Sequence, residues 1–163
     1  MTAKLAADMK YWLIKSEPST YGVEHFARDK KTPWTGVRNY QARNFMRDGM
    51  KPGDRAFLYH SSCEVPGIAG IVEVASDAYP DETQFDRRSE YYDAASKREA
   101  PRWYNVDFKF VKKTPLVPLT ELRKHKALAD MRVLQRGNRL SVLPVEPEEW
   151  RYIERLITST AAK

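Results

Sequence analysis

Two groups of residues in this chain could do chemistry, and the kinds of chemistry differ. His60 and Cys63 stand three apart beyond an apolar run, and an imidazole near a thiol is the pairing a nucleophilic enzyme uses. No third residue is suggested to orient the imidazole, and a strand-end histidine and a small thiol are more often structural than catalytic. The second group is Trp34-Thr-Gly-Val-Arg-Asn-Tyr-Gln-Ala-Arg-Asn44, which combines flat rings, amides and arginines and holds no histidine, cysteine, aspartate or glutamate. Lys15-Ser16-Glu17, Tyr59-His60-Ser61 and Ser141 share its character of planes and short hydrogen-bonding groups.

Such a mixture suits a flat heterocycle. A ring can be stacked on an aromatic side chain while hydroxyls, amides and backbone groups read its edge, as happens with an unstacked or flipped base. Trp34 would be the plane, against the competing reading that tryptophans are mostly packing residues. Arg38, Arg43 and Arg47, near the positive end of a helix starting at Tyr40, would hold phosphates; the competing reading is a solvated helix face.

Other chemistries find little support. The single cysteine rules out a CxxC metal site, and His25, His60 and His125 show no HExxH spacing. With no GxGxxG and no GxxxxGK[ST], neither a nucleotide cofactor nor a metal is expected. The length, 163 residues, fits one domain, and 42% hydrophobic content is globular. Twenty-eight Lys and Arg against 22 Asp and Glu give a net charge of +6, a bias toward polyanions. No apolar run approaches the roughly 20 residues of a membrane helix, and the N-terminus lacks the core of a secretory signal. The lone thiol fits a reducing compartment, so a cytoplasmic location is expected, or a nuclear one in a eukaryote.

The elements that must position these residues follow from pattern. Tyr11 to Ile14 reads as a strand covered on both faces, and Pro18 holds Glu17 extended before a short helix, Val23 to Arg28, capped by Gly22. A second helix is expected from Tyr40 to Asp48, with Asn39 as N-cap and Gly49 in the left-handed region. Lys51-Pro-Gly-Asp54 makes a turn into a strand, Arg55 to His60, which should pair antiparallel with Ile68 to Val74, where Gly70 marks a bulge or a close approach. Residues 76 to 101 read as a polar surface excursion, and Trp103 to Val111 as a half-buried strand. Short helices from Leu119 and from Asp130, a strand Arg139 to Leu143, and a last helix from Pro147 with a stripe of Trp150, Ile153, Leu156 and Ile157 complete the chain. About five short strands among helices, without βαβ alternation, favour a small curled barrel over a Rossmann sheet.

Taken together, YWLIKSEP, WTGVRNYQARNFM, FLYHSSCEVPGIAGIVEV, YPDETQFD, WYNVDFKFV and RLSVLPVEPEEW resemble the EVE domain family in one collinear order. The resemblance implies an α+β fold related to PUA, ASCH and YTH domains: a PUA-like mixed β-barrel of about five or six strands flanked by helices. It would span about residues 10–158, between tails at 1–9 and 159–163, with Met9 an alternative start. It also implies a pocket for a modified base of the 5-methylcytosine or 5-hydroxymethylcytosine kind, with DNA preferred to RNA as carrier, and no membrane partner; a monomer is favoured. Carried over by position, the pocket set is Ser16, Trp34, Val37, Asn39, Tyr59, His60, Ser61, Ile68, Ala69, Gly70 and Ser141. Trp34 and Tyr59 would supply walls, Ser16, Asn39, Ser61 and Ser141 edge hydrogen bonds, and Gly70 room for the ligand. Gly22 and Glu146 depart from the hydroxyl caps expected there, which touches helix ends rather than the pocket. The rival readings are a hydrolase or base-processing enzyme using His60 and Cys63, and an RNA-associated or small-metabolite module.

Overall fold

Trp12, Leu13 and Ile14 are consecutive and all buried, which a strand permits only if both of its faces are covered. The computed structural model, which describes residues 9–161, covers them in this way. Residues 1–8, most of the expected tail, lie outside the described residues, and so does the question of a start at Met9. Strand β1 (Tyr11–Ser16) is followed by helices α1 (Pro18–Tyr21) and α2 (Val23–Asp29), strand β2 (Lys31–Pro33), helix α3 (Tyr40–Asn44), and strands β3 (Arg55–His60) and β4 (Gly67–Val74). Beyond these come β5 (Tyr79–Pro80), β6 (Tyr104–Asn105), β7 (Asp107–Pro118), α4 (Leu119–Leu122), β8 (Val142–Val145) and α5 (Pro147–Ala161).

Six strands form one curled mixed sheet in the order β2-β7-β4-β3-β1-β8, and β5 pairs with β6 in a separate ribbon. The fold is therefore α+β, a curled half-barrel with flanking helices, where the resemblance implied a PUA-like mixed β-barrel of about five or six strands. Trp12, Ile14, Ala56 and Leu58 face a core closed by Val23 and Phe26 of α2 and by Ala42 and Met46. Leu13, Phe57, Ile68 and Ile71 face the other, closed by Leu122, Leu128 and the α5 residues Trp150, Ile153 and Ile157. Trp150 stacks on Phe57 at 3.9 Å, which seats α5 on the sheet.

β1 and β3 are parallel, in register Tyr11↔Arg55 to Ser16↔His60. The sequence pattern hides this crossover because β2, inside it, leaves to pair with β7 at the far edge. Ile68 and Ile71 share a face although they stand three apart, which strict alternation forbids. An inserted residue resolves it: the β3 pairing jumps from Leu58↔Gly70 to Tyr59↔Ile68, leaving Ala69 as a bulge. On the other side the ladder with β7 skips from Gly70↔Lys113 to Ile68↔Val117. Pro115 falls in that gap, where a missing amide costs nothing, so the strand expected to end at Val111 runs on to Pro118.

Other expectations are corrected. The helix drawn from Tyr40 to Asp48 is α-helical only to Asn44 and widens into a π turn, Phe45–Gly49, closed by Met50 N–H donating to Phe45 O at 2.9 Å. Gly49 is not left-handed; the Trp12 ring would lie 2.8 Å from a Cβ there, so close approach is what calls for glycine. The helices expected after Leu119 and Asp130 shrink to α4 and the 3₁₀ turns Lys126–Leu128 and Arg132–Leu134. The last strand is Val142–Val145, an edge strand that tolerates Pro144, and α5 runs on to Ala161. Among the described residues, no helix is long and apolar enough to cross a membrane.

The start of β1 is tied to the turn before β3 by Asp54. Its buried carboxylate accepts from Trp12 Nε1 at 3.1 Å, from Lys51 N at 3.0 Å and from Lys10 N at 3.2 Å. Asp54→Ala should destabilise the domain by about 1–3 kcal/mol for the orphaned indole N–H alone. Urea unfolding with an unchanged slope checks this, and a shift smaller than half of that range would assign the anchoring elsewhere.

Candidate functional site

The C-terminal end of β1 opens between two recesses. The first, about 440 Å³, is walled by Lys15 and Ser16 of β1, Thr20 and Tyr21 of α1, the segment from Thr32 to Arg38, and Glu90, Tyr91 and Ser141. Main-chain bonds fix its floor: Lys15 N donates to Ser141 O, and Trp34 N to Val106 O, each at 2.9 Å. Trp34 is only 9% exposed, stacked on Phe26 at 5.7 Å and set edge-on to Phe108 at 5.9 Å. Trp34 is thus a wall of the recess and part of the core at once. Tyr21 meets it edge-on at 6.3 Å, held by its hydroxyl donating to Asp29 at 2.8 Å.

The Trp34–Arg38 loop hangs from Asp81. That carboxylate, fully buried, accepts from Gly36 N at 2.8 Å, from Arg38 Nη1 at 3.1 Å, and from the Thr83 amide and hydroxyl at 2.9 and 2.5 Å. Burial pushes its pKa up, and the bonds from Thr83, Gly36 and Arg38 outweigh burial and hold it below the usual aspartate range. Arg38 also donates to Val37 O, to Thr83 Oγ1 and, from two nitrogens, to Tyr91 O. A guanidinium has five N–H donors, so none remains for a phosphate. Arg38 therefore positions the loop rather than offering a free cation. Gly36, at φ +86°, is where only glycine fits, since the Tyr91 ring would lie 2.7 Å from a Cβ.

Asp81, Thr83 and Tyr91 belong to the segment read from sequence as a surface excursion. It is ordered by Gln84, buried, whose amide donates to Asp81 O and Trp103 O and whose oxygen accepts from Ser96 Oγ and Trp103 N. The missed signal was Pro80-Asp-Glu-Thr83, an aspartate followed at the second residue by the amide it caps. Lys15, Thr20 and Tyr21 were also absent from the expected pocket set.

The first recess brings together Ser16, Trp34, Val37 and Ser141. Tyr59 and Ser61 line the second, about 580 Å³, with Lys15, Arg123 and Arg136. The rest of the expected set is engaged in packing and capping. Asn39 accepts from Ala42 N at 3.0 Å and caps α3. His60 Nε2 accepts from Val23 N at 3.1 Å, and His25 Nδ1 from Gly22 N at 2.8 Å, so two histidines hold the start of α2. Ile68 and Ala69 are buried in β4, and Gly70 makes room for Val23 of α2. Arg43 lies over the Tyr40 ring at 4.7 Å and donates to Arg102 O at 2.7 Å, and Arg47 pairs with Asp48 at 2.8 Å. Cys63 is half-buried in the β3–β4 loop. Among the described residues, no group of three His, Cys, Asp or Glu could hold a metal.

The family model of the EVE domain matches residues 10–156. The chain belongs to the EVE domain family. This EVE domain is 42% identical to thymocyte nuclear protein 1 of chicken, over 88% of the chain but only 66% of that relative. Its fold matches a hypothetical protein of Leishmania major with a TM-score of 0.90 and 42% identity, covering 96% of this chain and 99% of that one. Human THYN1, solved in complex with 5-methylcytosine-containing DNA, matches with a TM-score of 0.85 and 41% identity, covering 90% of this chain and 96% of that one.

The cap on α2 makes the EVE domain sensitive to acid. Burial pushes His60 below its ordinary value of 6.5, partly countered by Glu24, and a protonated Nε2 cannot accept from Val23. A lowered folded pKa means stability is full above about pH 6.5 and is lost as pH falls through the folded value. Amide exchange at Val23 should accelerate in that window. Protection at Gly36, bonded to Asp81, should persist until pH falls below the ordinary aspartate value of 3.8. Simultaneous loss at both amides would show that the two anchors do not act separately. Independently, Asp81→Asn should speed exchange at Gly36 at neutral pH, because the substituted amide must present a donor to one of the four donors that converge on the carboxylate.

Proposed function

We propose that this EVE domain reads a modified base, of the 5-methylcytosine or 5-hydroxymethylcytosine type, in DNA, by holding it in the first recess without chemical change. The observation that carries the reading is the composition of that recess: aromatic walls from Trp34, Tyr21 and Tyr91 beside short hydroxyls from Ser16, Thr20 and Ser141. Aromatic faces suit stacking and hydroxyls suit a base edge. The charge of the recess supports the same reading, since Arg38 is neutralised by Asp81, and Lys15 faces a lining that also contains Glu90. An uncharged base fits such a site better than a phosphate does. Human THYN1 in complex with 5-methylcytosine-containing DNA, at 41% identity, supports the ligand class. Against an enzyme stands the engagement of His60, whose Nε2 accepts the Val23 amide and is not available as a base.

The test is a titration of matched oligonucleotides, with and without one 5-methylcytosine, in DNA and RNA forms. Burying a single methyl is worth about 0.8 kcal/mol, so a preference of at least about fourfold for the methylated DNA is expected. Cys63→Ser should leave both affinities unchanged, and mass spectrometry should recover the oligonucleotide intact. Equal affinity for the two strands would sink the reading, and a modified product that disappears in Cys63→Ser would replace it with the enzymatic one. Trp34→Ala is a poor probe here, because removing so buried an indole costs about 3–5 kcal/mol of stability. Trp34→Phe keeps a ring against Phe26 and should reduce affinity severalfold with little change in melting temperature.

A further inference from the structure

The second recess differs from the first in charge. Its lining contains Lys15, Arg123 and Arg136 and no carboxylate. None of these three cations has an acidic partner among the described residues, whereas Arg38 and Arg47 are paired with Asp81 and Asp48. Tyr59 lines the same recess, 4% exposed, and its hydroxyl has no hydrogen-bond partner among the described residues. A hydroxyl donor left open beside unpaired guanidinium groups is the chemistry of an oxyanion seat.

The two recesses meet at consecutive residues of β1. Lys15 lines both, and its amide donates to Ser141 of the first; Ser16 lines the first, and its carbonyl accepts from the amide of Ser61 in the second. We propose that the recess formed by Lys15, Tyr59, Ser61, Arg123 and Arg136 seats a backbone phosphate of the DNA strand whose base enters the first recess. The assignment rests on the base-reading function proposed above. Arginine forks bind phosphate oxygens bidentately, and Tyr59 and Lys15 line the same space. Burial lowers the Lys15 pKa, and a neighbouring anion would reverse that penalty.

The experiment measures affinity for the methylated and unmethylated DNA oligonucleotides as a function of salt, with wild type and with Arg123→Gln/Arg136→Gln. Each lost phosphate contact reduces the slope of log affinity against log salt by about 1. The double variant, which removes one phosphate contact, should therefore flatten the slope by about 1 and weaken both oligonucleotides in the same ratio. Both side chains are exposed, so the fold should survive, as matched melting curves would verify. Arg87→Gln/Arg88→Gln removes the same charge from the exposed excursion and serves as control. An unchanged slope, or one that falls no more than in the control, overturns the phosphate seat. Loss of base preference in wild type overturns the base reading instead, while the slope still reports on the second recess.

Discussion

A carboxylate shut away from water must collect its hydrogen bonds from whatever surrounds it, and at Asp81 this requirement gives the first recess its shape. The Gly36 amide, the Arg38 guanidinium and both donors of Thr83 converge on it, which brings the Trp34–Arg38 loop against a segment more than forty residues further along the chain. Tyr91 then closes over Gly36, and Arg38, saturated with acceptors, locks the seam. Asp54 plays a corresponding part at the other end of β1, where it joins strand and turn through Trp12. Between these two anchors the strand carries its polar end, Lys15 and Ser16, to the point where the recesses meet.

Much of the scaffold was legible because it is periodic. The apolar runs of β1, β3 and β4 and the stripe Trp150, Ile153, Ile157 follow from burial on a pleat or on one side of a helix. The parallel pairing of β1 with β3 was not legible, since it depends on which edge β2 joins. Nor was the order within residues 76–103, which comes from Gln84, Asp81, Asp93 and Trp103 satisfying one another; a polar network has no period to read.

The site was read in part for a similar reason. Tyr59, His60 and Ser61 looked like one group because they are adjacent, yet the pleat turns alternate residues to opposite faces. Tyr59 and Ser61 go to the second recess, and His60 goes to the start of α2. The arginines of the loop, of α3 and of the π turn after it looked free because sequence does not reveal partners: Asp81 for Arg38, the Arg102 carbonyl for Arg43 and Asp48 for Arg47. Arg123 and Arg136 lie in the segment after β7, whose irregular turns offered no pattern that would single them out.

Trp34 has one side committed to Phe26 and Phe108 and the other bordering the recess, so the same atoms serve cohesion and form the recess wall. Selection cannot then act on either property alone. A lineage that drifts toward a new ligand by changing this residue must first acquire stability elsewhere, and until it does the position is frozen whatever the ligand demands. Novelty in this architecture would have to come from the rim, at Thr20, Thr35, Glu90 and Tyr91, where side chains reach the recess without supporting the sheet beneath it.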